Sequence, residues 1–104
     1  MRRSDASIST VSTSQGTHPL ESLCGRVVIL DTPGPLIYIG TLKSVHVDVL
    51  VLEEADVHDT NDSRSTKDYY ISQTRDLGVR ANRSMVMVHR GYVISVSLLE
   101  DVLT

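Results

Sequence analysis

The chain has 104 residues and a formal charge of −3. That length allows one domain. The negative charge argues against generic duplex-DNA binding, which leans on many Lys and Arg phosphate contacts. No run of about 18 apolar residues is present, so no membrane span is expected, and no apolar stretch follows Arg2 and Arg3 to make a secretory signal.

The first residues, MRRSDASISTVSTSQGTHP, hold only Ile8 and Val11 as sizeable apolar side chains. Residues 1–17 are expected to form a disordered Ser/Thr-rich tail, because they bury too little to offset the entropy of ordering. One folded domain is expected over 18–104. In HPLESLC, Pro19 suits a first helical turn and Leu20, Leu23 and Cys24 fall at helical spacing, so the sequence predicts a short helix over His18–Cys24, ended by Gly25. Cys24 is the one cysteine. It excludes an internal disulfide, fits a reducing, cytoplasmic compartment and reads as a small buried hydrophobe.

Arg26–Leu30 (RVVIL) reads as a first strand, and DTPGP at 31–35 as a turn. Leu36–Val47 is a second strand. Leu36, Tyr38, Gly40, Leu42 and Ser44 share one parity, and Ile37, Ile39, Thr41 and Lys43 the other. Gly40 in mid-strand implies a sharp bend or a close backbone approach, and the bend is favoured because it lets one strand serve both halves of a small barrel. The chain reverses near His46 or Asp48, and Val49–Leu52 continues as a third strand toward EEADV.

A polar loop, HDTNDSR, precedes a helix over Lys67–Leu77, inserted at about 66–78. Ser65 or Thr66 caps its start, and Asp68 suits the positive end of the dipole. Tyr70, Ile71, Thr74 and Leu77 form one stripe, and Gly78 stands at the left-handed capping place. Ser84–Arg90 and Tyr92–Leu98 read as fourth and fifth strands, with Gly91 between them. The fold class is therefore mainly β: a short N-terminal helix, five strongly bent antiparallel strands, and an extra helix between strands three and four. Such a small sheet must close up or find a partner.

The order of these elements and their residues resembles the Sm-like family, the LSm and Hfq-type RNA-binding rings, as a divergent, bacterial-type member with an inserted helix. LESLCGRVVILDTPGPLIYIGTLKSVHVDVLVLEEA, at 20–55, is similar to the first family motif, with Gly25, Val27, Tyr38, Gly40 and Leu42 at its G, V, aromatic, G and L. VHRGYVISVSLLEDV, at 88–102, is similar to the second, with Arg90 and Gly91 at its Arg-Gly pair. The resemblance implies a five-stranded barrel and a homo-oligomeric ring of about five to seven subunits, joined by pairing strand four to strand five of the next copy. It also implies single-stranded RNA in the ring pore. Arg90 and Gly91 carry over to that site, with His46 and Asp48 in the right neighbourhood. The family's Asn after strand two is absent, since Val49, Leu50 and Val51 follow, and valine and leucine lack the paired donor and acceptor that base selection uses.

His46 is suited to stack on a base and Arg90 to contact a phosphate or base edge. The bland alternative has Asp48 capping its turn, His46 bonded to backbone, and Arg90 paired with Asp48 or a neighbouring carboxylate. Six acidic residues from Glu53 to Asp68 stand against four arginines from Arg75 to Arg90, and Arg75, Arg80 and Arg83 offer a lateral basic patch. Three readings stay open: an RNA-binding ring without chemistry, a structural or protein-interaction ring without specific RNA binding, and a small metal-dependent enzyme using Asp56, His58 and Asp59. No phosphate-loop or dinucleotide motif is present and no cofactor is expected.

Overall fold

The computed structural model describes residues 19–62 and 65–103. The tail expected over 1–17 lies outside the described residues. The strands are β1 (Val27–Asp31), β2 (Leu36–Val45), β3 (Val49–Asp59), β4 (Arg83–His89) and β5 (Ser95–Leu98), with the helix α1 (Lys67–Leu77) between β3 and β4. Pro19–Leu23, Arg90–Tyr92 and Leu99–Asp101 are 3-10 turns. All strand pairs are antiparallel, and the sheet order is β4-β3-β2-β1-β5.

The expected barrel is not formed. β4 pairs only with β3 and β5 only with β1, so the sheet ends in two edges. The turn at Arg90–Tyr92 sends the chain across to β1, where Val28 faces Leu98 and Asp31 faces Ser95. Those residues also shorten the last strand, which starts at Ser95 rather than Tyr92. Among the described residues the four-residue β5, held by β1, has no strand on its second side.

Of the two expected reasons for a glycine at position 40, the structure shows the close backbone approach. A Cβ on Gly40 would stand 2.8 Å from Ala55 Cα and 3.1 Å from the Glu53 carbonyl oxygen, so the backbones of β2 and β3 approach as closely as only glycine permits. Two register shifts flank this contact. Thr41 pairs with Glu53 while Ile39 pairs with Asp56, which leaves one extra residue on β3, and Glu54 there takes φ +47°. Leu42 pairs with Leu52 and Ser44 with Val51, which leaves Lys43 extra on β2. A single extra residue reverses the face of every side chain beyond it. Leu50 and Leu52 point into the concave core, and past Glu54 it is Ala55 and Val57 that keep that face. Asp56 and His58 are turned to the opposite face, opposite Ile39 and Ile37.

The sheet is consequently buried on both sides. On the concave side Val28, Leu30, Leu42, Leu50, Leu52, Ala55, Val88 and Leu98 form the main core. On the other, Ile29, Ile37 and Ile39 pack with Tyr70 of α1, joined by Ile71, Val79, Leu99 and Val102. Thr66 Oγ1 accepts from the Tyr69 amide at 3.2 Å as N-cap, and Gly78, at φ +92°, donates its N–H to Thr74 at 2.8 Å as C-cap. Lys67 Nζ reaches Asp31 Oδ1 at 2.7 Å, and Arg75 Nη1 donates to the Val102 carbonyl at 2.8 Å, which pins both ends of α1 to the sheet side. The stripe read from sequence holds at Tyr70, Ile71 and Thr74, but Leu77 is 78% exposed, at the lining of an open cleft between the helix end and the 78–82 segment. Cys24 is exposed, not buried: the 3-10 turn Pro19–Leu23 packs Leu20 and Leu23 against the core and leaves Cys24 outside it.

Gly40→Ala is expected to destabilise the fold by about 1–3 kcal/mol, the cost of overpacking against backbone. Because Ala55 Cα itself is the obstacle, adding Ala55→Gly leaves most of that loss in place. Glu54→Gly has the opposite sign and raises stability by about 0.5–1 kcal/mol by relieving a left-handed residue. Urea midpoints of the three variants check both statements.

Candidate nucleic-acid interface

The residues singled out at the β2–β3 turn and after β4 are brought together. The hairpin closes where the His46 amide donates to the Val49 carbonyl at 2.9 Å. The Arg90 amide donates to the Asp48 carbonyl at 2.9 Å, which extends the β3–β4 ladder past Val49 and His89. Arg90 Nη1 then donates to the His46 carbonyl at 2.7 Å and reaches Val47 O at 3.4 Å. The guanidinium therefore meets two of the three turn carbonyls and the Arg90 amide the third, and a charge-assisted bond to backbone is among the stronger polar contacts available. Arg90 is half-buried over the turn, whereas His46, Val47 and Asp48 are exposed.

The side chains differ from the bland expectation in two respects. His46 Nε2 meets the Ser44 hydroxyl at 2.9 Å rather than backbone, which orients the imidazole. Arg90 holds main-chain oxygens rather than the Asp48 carboxylate, which has no hydrogen bond or ion pair among the described residues. Gly91 is exposed, and a Cβ there would meet nothing within 4 Å, so the packing of a single subunit does not require glycine. Val47 beside them is 92% exposed.

Arg80 and Arg83 are not part of this cluster. Arg83 opens β4 and Arg90 follows its end, so they stand roughly 20 Å apart at about 3.3 Å per strand residue. Arg80 and Arg83 are both exposed, and Arg83 Nη1 donates to the Asn82 carbonyl at 3.0 Å.

The Asp56, His58 and Asp59 group does not assemble as a metal site. Among the described residues no cluster of three or more His, Cys, Asp or Glu is placed to hold an ion. Asp56 instead accepts from the Tyr70 hydroxyl through Oδ2 and from Asn82 Nδ2 through Oδ1, the latter at 3.1 Å. The His58 ring stacks on Tyr70 with centroids 3.8 Å apart and planes 6° from parallel. Asp59 Oδ1 accepts from the Asn61 amide at 2.8 Å. Burial, followed by the hydrogen bond to Asp56, pushes the Tyr70 phenol well above its ordinary value. Asn82 was invisible in the sequence: it lies in the irregular VRANR segment, and only the fold places it beside β3, where it bridges Val57 N–H at 3.0 Å and Val57 O at 3.1 Å.

Comparison with known proteins gives the fold. No protein-family model matches the chain, and no curated protein matches it in sequence. Among solved structures, it is similar to the Sm protein of Pyrococcus abyssii in complex with a uridine heptamer, at TM-score 0.53 and 14% identity over 79% of this chain and 99% of the other. It is also similar to a chain of the NatC complex bound to CoA, at TM-score 0.52 and 18% identity over 81% and 88%. What the chain shares with both is the fold, a five-stranded antiparallel sheet, which here is open and carries a helix between its third and fourth strands. No helix among the described residues is long and apolar enough to cross a membrane.

Tyr70 carries a pH prediction. Its phenol is harder to ionise in the fold than at the ordinary value of 10.0. The unfolded chain therefore loses that proton first, and the stabilisation is complete below pH 10.0 and shrinks as pH rises above it. Tyr70→Phe should lower stability by about 1–2 kcal/mol at neutral pH by removing a donor from a part-buried carboxylate. The gap to wild type should narrow above pH 10.0, as read from denaturation midpoints across that range.

Proposed function

We propose that the chain is a subunit of an Sm-like homo-oligomeric ring that binds single-stranded RNA by positioning, without chemistry. His46, Asp48, Arg90 and Gly91 form the pore contacts, and Arg80 and Arg83 form a basic patch at the far end of β4. The observation that carries this reading is the Arg90 guanidinium on the His46 carbonyl, which sets an exposed imidazole, an unpartnered carboxylate and an arginine side by side. An oriented imidazole supplies a stacking face. Asp48 accepts from a base edge, and Arg90 adds positive charge beside the strand.

The ring follows from the two edges. β4 carries Met85 and Met87 outward, the latter 63% exposed, and Ile94 leads into β5 at 64% exposure. Apolar edges with unpaired backbone groups are a liability in a lone subunit, and pairing β4 of one copy with β5 of the next satisfies both around a closed cycle. The likeness to an Sm protein in complex with a uridine heptamer supports RNA as the ligand.

A second reading is a protein-interaction ring without specific RNA binding. Arg90 Nη1 is engaged with backbone, the chain is acidic overall, and Val49, Leu50 and Val51 stand where base-selecting amides would be needed. The likeness to a chain of a multi-protein complex favours this alternative as well.

Light-scattering mass, measured with and without short uridine-rich and adenine-rich RNAs, separates these readings. The expected result is a ring of about five to seven subunits that gains mass with RNA. Arg90→Ala should keep the ring mass and weaken RNA uptake by about tenfold or more, the worth of one charge-assisted contact. Gly91→Ala should leave the melting temperature unchanged while weakening uptake. A ring that takes up no RNA favours the interaction reading, and a monomer at micromolar concentration removes both.

A further inference from the structure

The insertion of α1 creates a cleft with no counterpart in a bare five-stranded sheet. It measures about 790 Å³ and lies between α1, the end of β3 and the 78–82 segment. Asp56, His58, Tyr70, Gln73, Arg80 and Asn82 give it its chemistry. We infer that this cleft is a binding site for one nucleotide unit, the base entering beside the stacked His58–Tyr70 rings and the phosphate meeting Arg80 at the rim. The choice of ligand rests on the nucleotide-binding reading above; the site itself is separate from the Arg90 cluster.

Three features point to that ligand. The first is flatness: two rings 3.8 Å apart and 6° from parallel form a stack that a planar heteroaromatic group can extend or lie against. Leu77, 78% exposed on the last helical turn, lines the same cleft and offers an apolar contact to a ring or sugar. The second is polar equipment for a base edge. Asn82 spends both Nδ2 hydrogens on Asp56 and Val57, so a base edge meets the remaining acceptor capacity of the Asp56 carboxylate and the Gln73 carboxamide, whose Nε2 also donates to the Tyr69 hydroxyl at 3.1 Å. The Asp56–Asn82 pair is held rigidly by the Tyr70 hydroxyl and by both backbone groups of Val57, so little ordering cost attends binding.

The third feature is charge. Arg80 is exposed at the cleft and makes no hydrogen bond or ion pair among the described residues. Asp56 is the one carboxylate in the lining, and its charge is shared by two donors. A cationic rim over a stacking wall matches a base joined to a phosphate better than a free cation or a purely apolar group. The bulge at Glu54 is what makes the site possible, because without it Asp56 and His58 would face the concave core.

Such a unit can come from an RNA strand or from a free nucleotide, and the test separates them. The full chain is titrated with AMP, with UMP, and with short adenine-rich and uridine-rich RNAs, and hydrogen–deuterium exchange is followed by mass spectrometry. Protection of peptides covering 56–58 and 70–82 is expected with at least one of these probes. Protection by mononucleotide assigns a free-nucleotide site, and protection by RNA alone assigns a strand-borne base. Arg80→Glu and Leu77→Ala alter exposed side chains and should leave the melting temperature unchanged. Arg80→Glu should weaken the binding of that probe by about tenfold or more. The inference is overturned if no probe protects 56–58 and 70–82, or if Arg80→Glu binds as wild type does. Protection at 44–49 and 88–92 reports the Arg90 cluster independently, so either site can fail without the other.

Discussion

The backbone of β2 lies against the backbone of β3 at Gly40 and Ala55, and most of the molecule follows from that approach. A side chain at position 40 would collide with Ala55 Cα, so the two strands lie this close only because the residue is glycine. Lys43 on β2 and Glu54 on β3 flank the contact as extra residues on either side. Their effect is larger than a local kink. The bulge at Glu54 exchanges the two faces of β3, sending Ala55 and Val57 inward and Asp56 and His58 outward. A small sheet thereby acquires one apolar concave core and a second, partly polar face that needs covering.

The helix covers that second face. Tyr70 is the link between the two kinds of contact: its ring packs on Ile29, Ile37 and Ile39, and its hydroxyl satisfies Asp56. A buried phenol aimed at a carboxylate is costly to leave unpaired, so strand and helix are matched in both shape and hydrogen bonding. Lys67 and Arg75 fix the helix ends to Asp31 and Val102, which explains how an insertion between β3 and β4 becomes part of the domain. Among the described residues no further strand pairs with the second side of β4 or of β5, so the sheet keeps two edges.

Arg90 fixes the β2–β3 turn from two sides. Its amide prolongs the β3–β4 ladder, and its guanidinium collects the carbonyls of His46 and Val47. The turn is then rigid enough to hold His46 and Asp48 outward, and preorganised polar groups bind with less entropic loss than mobile ones. The same anchoring serves a protein-protein ring, since a defined turn is equally useful at a subunit contact.

The sequence by itself determined the elements. The parity of Leu36–Leu42, the two prolines and glycine of the 31–35 turn, and the Thr66 and Gly78 caps of Lys67–Leu77 are local signals with local physical causes, and they recur in the structure, whereas the extra residue Lys43 breaks the parity expected to reach Ser44, so that Val45 joins Leu42 on the core face. The grouping of His46, Asp48 and Arg90 was legible through the ordered motifs around them. Three things were decided only by tertiary structure. Whether the sheet closes depends on where Arg90–Tyr92 directs the last strand, and pairing partners are a long-range choice that alternation does not encode. Which way Asp56 and His58 face depends on a single bulge residue, and Glu54 in EEADV carries no mark that distinguishes it from an ordinary strand position. The role of Asn82 depends on the chain returning from α1 beside β3, a contact between residues about 25 apart in sequence. Local chemistry sets what each segment can be; the close packing at Gly40 sets which of their side chains meet.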